Sequence, residues 1–192
     1  REQRRLASAG QPYLGTELRI VRMDDSPAEQ GEIGEVLIRS PATMKGYWNN
    51  TAATVETLRN GWMHTQDLGY VDEDGFLFIV DRKKDMILSG GENIYSWEVE
   101  EALRRHPSVA EVAVIAVPDE EWGEAVKACV VLNPGASADE SGLITFCREQ
   151  IASYKKPRSI DFVAELPRLF NGKVDKKALR APYWAGKDRQ VS

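Results

Sequence analysis

Two rhythms of apolar and polar positions divide this chain of 192 residues. Up to about residue 80 the rhythm has period two, the mark of strands whose successive side chains point to opposite faces. Residues 17–22 and 35–39 alternate in this way and predict strands, separated by the turn-formers Asp24-Asp25-Ser26-Pro27 and Gly31-Glu32-Ile33-Gly34. Residues 51–58 predict a short helix. Residues 62–71 and 76–81 predict two more strands, joined by the acidic turn Asp72-Glu73-Asp74-Gly75. The first twelve residues are polar and open on Arg-Glu-Gln-Arg-Arg, which reads as a tail or a cut end.

Beyond Arg82 the pattern mixes both periods. A short strand is expected at residues 85–89, with Gly90-Gly91 as punctuation, and then a helix over 96–105 that puts Val99, Ala102 and Leu103 on one face, with Ser96 as N-cap. The β-branched runs at 109–117 and 125–132 predict strands. A helix over about 139–153 should bury Leu143, Ile144, Cys147 and Ile151, followed by a strand at 160–163 and a short helix at 176–180. Five consecutive charges, Asp81-Arg82-Lys83-Lys84-Asp85, cannot all be buried. A domain boundary is therefore expected there, with a β-rich part at 1–81 and a compact α+β part at 82–192. The expected class is α+β, the second part having a mixed sheet of about three strands, flanking helices and a short hairpin. Trp48, Trp62, Trp97 and Trp122 are irregularly spaced, which favours packing in the core or at domain edges over a ligand cage.

Composition narrows the function. With 42% hydrophobic and 29% charged residues the chain is ordinary for a soluble protein, and it has no apolar run near the roughly 18 residues of a membrane span. No secretory leader is visible. A net charge of −5 argues against nucleic-acid binding by phosphate neutralisation, although Lys155, Lys156 and Arg158, and again Lys173, Lys176, Lys177 and Arg180, form local basic patches. Cys129 and Cys147 lie in apolar segments and read as reduced core thiols of a cytoplasmic protein. With only His64 and His106, and no cysteine pair at ligand spacing, no zinc site is expected. Asp72 to Gly75 begins like a calcium loop, but its twelfth position would be Lys83.

Near the C-terminus, Leu166-Pro167-Arg168-Leu169-Phe170-Asn171-Gly172-Lys173-Val174-Asp175 sets an Asn-Gly turn between apolar residues, with Lys173 at its tip. Most lysines beside such turns are merely solvated. In order along the chain, Gly34-Glu35-Val36-Leu37-Ile38, Met44-Lys45-Gly46-Tyr47-Trp48, Thr65-Gln66-Asp67-Leu68-Gly69, Asp81-Arg82-Lys83-Lys84-Asp85, Ser89-Gly90-Gly91-Glu92-Asn93-Ile94, Ser153-Tyr154-Lys155-Lys156-Pro157 and Asn171-Gly172-Lys173-Val174 resemble the later motifs of the acyl-adenylate-forming superfamily. That superfamily holds acyl-CoA synthetases, luciferases and peptide-synthetase adenylation domains. The likeness covers roughly residues 10 to 180 and is greatest to bacterial fatty-acid or aryl-acid CoA ligases. It departs from the family at Gln66, where glycine is usual.

The resemblance implies a two-step ligase that uses ATP, a small-molecule carboxylic acid and coenzyme A, with Mg2+ carried mainly by the ATP phosphates and AMP released. It implies that residues 1–81 are the β-rich end of a large N-terminal domain whose phosphate loop and acyl pocket are not matched here, and that 82–192 are the mobile C-terminal domain. It further implies that Lys173 is catalytic, that Asp67 and Arg82 bind the nucleotide, that Lys84 is the hinge, and that Gly90, Gly91, Glu92 and Asn93 face coenzyme A. Two other classes stay open: a non-catalytic binding or assembly module with the same fold, and an adenylation domain that loads a carrier protein.

Overall fold

The alternation in the first part becomes an antiparallel sheet. Strand β1 (Glu17–Val21) pairs with β2 (Gly34–Arg39), and β2 pairs with the ten-residue β4 (Trp62–Val71). The two-residue β3 (Leu58–Arg59) meets the start of β4, and β5 (Leu77–Arg82) meets its end. A short helix α1 (Thr51–Thr57) precedes β3, capped by the Asn50 side chain, which accepts from Ala53 N at 3.0 Å. Val21, Val36, Leu37, Trp62, Leu68 and Phe78 are buried in this sheet. The β4–β5 connection is a hairpin turn, because Asp72 Oδ1 accepts from the backbone N–H of Asp74 and of Phe76 at 3.0 and 2.9 Å. The computed structural model describes residues 6–187, in two compact units that part between Lys83 and Lys84.

The second unit is built on β8 (Val109–Asp119) and β9 (Gly123–Leu132), an antiparallel pair that β10 (Ser159–Phe162) extends in parallel. Alternation is hidden here because both faces are covered. Val112, Val114 and Ala116 pack with Val126, Ala128 and Val130 under helices α2 (Ser96–Arg104) and α3 (Glu140–Gln150), whose Val99, Leu103, Leu143 and Cys147 complete that cluster. Ala113, Ile115, Val117 and Cys129 face the other way, against Leu166 and the half-buried Val174, Leu179 and Tyr183. The last helix, α4 (Lys176–Arg180), belongs to this second layer. Cys129 and Cys147 thus lie on opposite faces of the sheet, and burial pushes both thiols up to about 11. Among the described residues, no helix is long and apolar enough to cross a membrane.

Several local expectations are corrected. Residues 85–89 are not one strand: Lys83–Asp85 forms a 3-10 turn and β6 is Ile87–Ser89. The stretch after Gly90-Gly91 folds back as a further strand, β7 (Glu92–Ile94), which pairs with β6. Ser96 is not the N-cap of α2. Tyr95 holds that position without a side-chain bond, and the buried Ser96 hydroxyl instead accepts from Lys176 Nζ at 2.6 Å. The third helix stops at Gln150, short of the expected end, and a 3-10 turn follows at Ser153–Lys155. Of the four tryptophans, only Trp62 lies in the core, with the Arg19 and Arg39 guanidinium groups 4.3 and 4.5 Å from its ring centre; Trp48, Trp97 and Trp122 are exposed, the last of them against Gly90 and Arg158.

Candidate active site

In the first unit, an irregularity in β4 presents Asp67. Leu37 lies opposite His64 and Glu35 opposite Leu68, so residues 65, 66 and 67 together face Val36 alone. Such a bulge needs a residue outside the extended region, and Gln66 takes it up with φ of 63°. The Thr65 hydroxyl secures the bend, donating to Val36 O at 2.7 Å and accepting from Asp67 N at 3.1 Å. Asp67 then rejoins the ladder opposite Arg82, and Arg82 Nε donates to Asp67 Oδ1 at 2.8 Å. The structure therefore brings these two sequence-predicted residues together as a pair, with both side chains partly exposed.

The left-handed backbone at Gln66 gives a reason for the glycine that the resembled family carries there. An L-residue in this region costs roughly 1–2 kcal/mol, more than the roughly 0.5–1 kcal/mol that glycine loses in chain entropy. Gln66→Gly is therefore expected to stabilise the first unit by about 0.5–1 kcal/mol, seen as a higher urea midpoint at unchanged slope. A lower midpoint would mean that the bulge carries no strain.

Behind the bulge lies a charge network that the sequence did not reveal. Glu35, 1% exposed, faces Lys83 Nζ at 3.1 Å, Gln66 N at 3.3 Å and His64 Nδ1 at 3.4 Å. Arg59 NH2 donates to His64 Nδ1 at 3.0 Å and lies 3.6 Å from Asp25 Oδ1. Burial pushes the Glu35 carboxyl up, but the Lys83 ammonium together with His64 outweighs it and holds the group below its usual range. Stability from this group is therefore present above pH ~4.3, the unperturbed glutamate value, and is lost as pH falls through the lowered one. Asp25, Glu35 and His64 offer donor atoms within 4.8 Å of one another. Lys83 and Arg59 already supply the positive charge there, so the cluster fits an ion-pair network better than a cation site.

In the second unit, β6 and β7 form a hairpin with Ser89 opposite Glu92, leaving Gly90-Gly91 as a two-residue turn with φ of 60° and 84°. Positive φ at both positions is the type I′ geometry that glycine favours. A Cβ on Gly90 would run into the Trp122 ring, whereas one on Gly91 would meet no atom of this chain, where the positive φ is what favours glycine. Glu92 and Asn93 follow on the exposed part of the hairpin. Gly90 N donates to Trp122 O at 3.0 Å, and the Arg158 guanidinium lies 5.1 Å from the Trp122 ring centre. A cleft of about 440 Å³ opens beside the hairpin, lined by Leu88, Gly91, Pro118, Trp122 and Trp184 among others. Lys155 is committed to Glu98 at 2.6 Å, while Tyr154 is half-exposed.

Lys173 sits on a separate, braced turn. Gly172 N donates to Leu169 O and Leu169 N to Lys173 O, each at 2.8 Å, with Gly172 at φ of 82°. Arg168 spans the base, donating to Gly172 O at 2.9 Å and pairing with Glu111. On the far side, Val174 packs into the core layer, and Lys176 and Arg180 of α4 pair with Glu100 and Asp85 at 2.7 and 2.6 Å. The Lys173 side chain is exposed and makes no hydrogen bond or ion pair among the described residues. Lys84, also exposed, is the first residue of the second unit.

A family model described as "AMP-binding enzyme C-terminal domain" matches residues 98–173, and one described as "AMP-binding enzyme" matches residues 1–48. The chain belongs to the AMP-binding enzyme family. It is 47% identical to a 2-succinylbenzoate–CoA ligase of Geobacillus kaustophilus, over 92% of this chain and 36% of that protein. It is 43% identical to a fatty acid–[acyl-carrier-protein] ligase of Streptomyces coeruleorubidus, over 97% and 36%. Its fold is similar to that of an o-succinylbenzoate CoA synthetase from Bacillus subtilis in complex with its acyl-adenylate intermediate, with a TM-score of 0.83 and 40% identity over 93% of this chain and 36% of the other. The chain spans about a third of the length of the curated relatives it matches.

Proposed function

We propose that this chain is the C-terminal part of an ATP-dependent acyl-CoA ligase and supplies its mobile lysine. A carboxylate attacks the α-phosphate of ATP, forming the acyl–phosphate bond of acyl-AMP and expelling pyrophosphate; the thiol of coenzyme A then attacks the acyl carbon and displaces AMP. Negative charge meets negative charge in the first step, so catalysis there is positioning and electrostatic stabilisation. The observation that carries this role is the exposed ammonium of Lys173, held on a braced turn at the end of the C-terminal family match. Asp67 would accept from the two ribose hydroxyls, with Arg82 on the phosphate side. Lys84 would be the hinge of the swing between the two steps, and Gly90, Gly91, Glu92 and Asn93 would face the pantetheine arm. Mg2+ would arrive on the ATP phosphates. The remainder of a large N-terminal domain would supply the phosphate loop and acyl pocket.

The nucleotide role is tested in the full-length ligase that carries this chain. Each charge-assisted hydrogen bond is worth about 1.5–3 kcal/mol, so Asp67→Ala is expected to raise KM for ATP about tenfold to hundredfold, with KM for the acid little changed. An unchanged KM for ATP would remove Asp67 from the site. A second reading, thioester formation on a carrier protein, is favoured by the likeness to the acyl-carrier-protein ligase. Offering coenzyme A and a phosphopantetheinylated carrier to the same enzyme separates the two. Absence of acid-dependent pyrophosphate release would instead support a non-catalytic module.

A further inference from the structure

We infer that Glu35 is a positioning residue that aligns the Asp67–Arg82 pair from behind, a role that rests on the nucleotide function proposed for that pair. Glu35 stands in an apolar run, Glu35-Val36-Leu37-Ile38, where a carboxylate has no place in a purely packed core. Its depth is set by Gly34, where a Cβ would collide with the backbone of Val21 across β1, so only glycine lets β2 press this close. A buried charge is tolerated when paired and hydrogen-bonded, and the partners of Glu35 are informative. One oxygen accepts from the backbone N–H of Gln66, the residue before Asp67; the other holds the ammonium of Lys83, the residue after Arg82. A single carboxylate thus fixes the left-handed residue of the bulge on β4 and the end of β5.

The consequence concerns aim. Asp67 and Arg82 are both partly exposed, and their mutual ion pair alone leaves them free to swing. With Gln66 and Lys83 pinned to a buried point, the pair inherits the rigidity of the sheet interior. A displacement of about 1 Å can cost up to a hundredfold in a well-aligned site.

The experiment uses the full-length ligase. Glu35→Gln keeps the shape and an acceptor for Gln66 N–H but removes the charge that holds Lys83; Lys83→Gln, at a half-buried position, is the companion if the first variant folds poorly. Expected are amide exchange at least tenfold faster in the peptide spanning residues 64–68, and a KM for ATP raised about tenfold with KM for the acid unchanged. Unchanged exchange in both variants would overturn the bracing role. Faster exchange with KM for ATP raised in Asp67→Ala but not in either bracing variant would overturn positioning while leaving the nucleotide role intact. Faster exchange with KM for ATP unchanged in all three would support the brace and overturn the nucleotide role of Asp67.

Discussion

Lys173→Ala in the full-length ligase is expected to slow adenylation by about 10²–10³, the usual loss when one preorganised electrostatic donor is removed from a charged transition state. The structure explains why the loss should be large. The ammonium makes no hydrogen bond or ion pair among the described residues, and the turn that carries it is bonded on both sides, which holds position 173 in place. Lys176 is spent on Glu100 and Ser96, and Arg168 on Glu111. Lys173→Arg should restore part of the rate, since it returns charge but not the compact ammonium. Acid-dependent pyrophosphate release reads both variants.

Arg180→Ala is expected to destabilise the second unit by about 3 kcal/mol or more, because it strands the Asp85 carboxylate in the interior. Both side chains are only 11–12% exposed, and Arg180 NH1 lies 2.6 Å from Asp85 Oδ1. Against a typical domain stability of about 5–15 kcal/mol, such a loss is severe, and a lowered urea midpoint would show it. Replacing both partners, Asp85→Asn with Arg180→Met, should recover much of the loss, since the cost lies in the unpaired charge. The pair also links the Lys83–Asp85 turn, which contains Lys84, to the helix that begins at Lys176, shortly after Lys173. Loosening it should therefore slow adenylation beyond what the unfolded fraction explains. A change below about 1 kcal/mol, the range of exposed ion pairs, would show that the pair is not a structural tie.

The same pair shows where sequence pattern stops being informative. The run from Asp81 to Asp85 was expected not to be buried throughout, as is the case, but nothing in it marks Asp85 as its buried member, which Arg180 reaches from 95 positions away. Ser96 looked like a cap by its neighbours, and a lysine 80 residues later took its hydroxyl. Local periodicity holds no record of such long-range partners. Strand β7 escaped notice because Glu-Asn-Ile has little β propensity; the Gly90-Gly91 turn folds it onto β6. By contrast, β8 and β9 were legible as long β-branched runs, and the same runs explain why both faces are covered. In the candidate site, Asp67 and Arg82 could be named from motifs, and the departure at Gln66 was visible as a departure. Its left-handed backbone, and the carboxylate of Glu35 beneath it, follow from the bulge geometry and needed coordinates.

The central claim, that Lys173 is delivered to the junction of acid and nucleotide for the first step only, is met most directly by measuring both half-reactions on Lys173→Ala in one full-length preparation. Adenylation from acid and ATP should fall by about 10²–10³, while thioester formation from supplied acyl-AMP and coenzyme A should stay within a few-fold of the unaltered enzyme. Equal losses in the two half-reactions would contradict it.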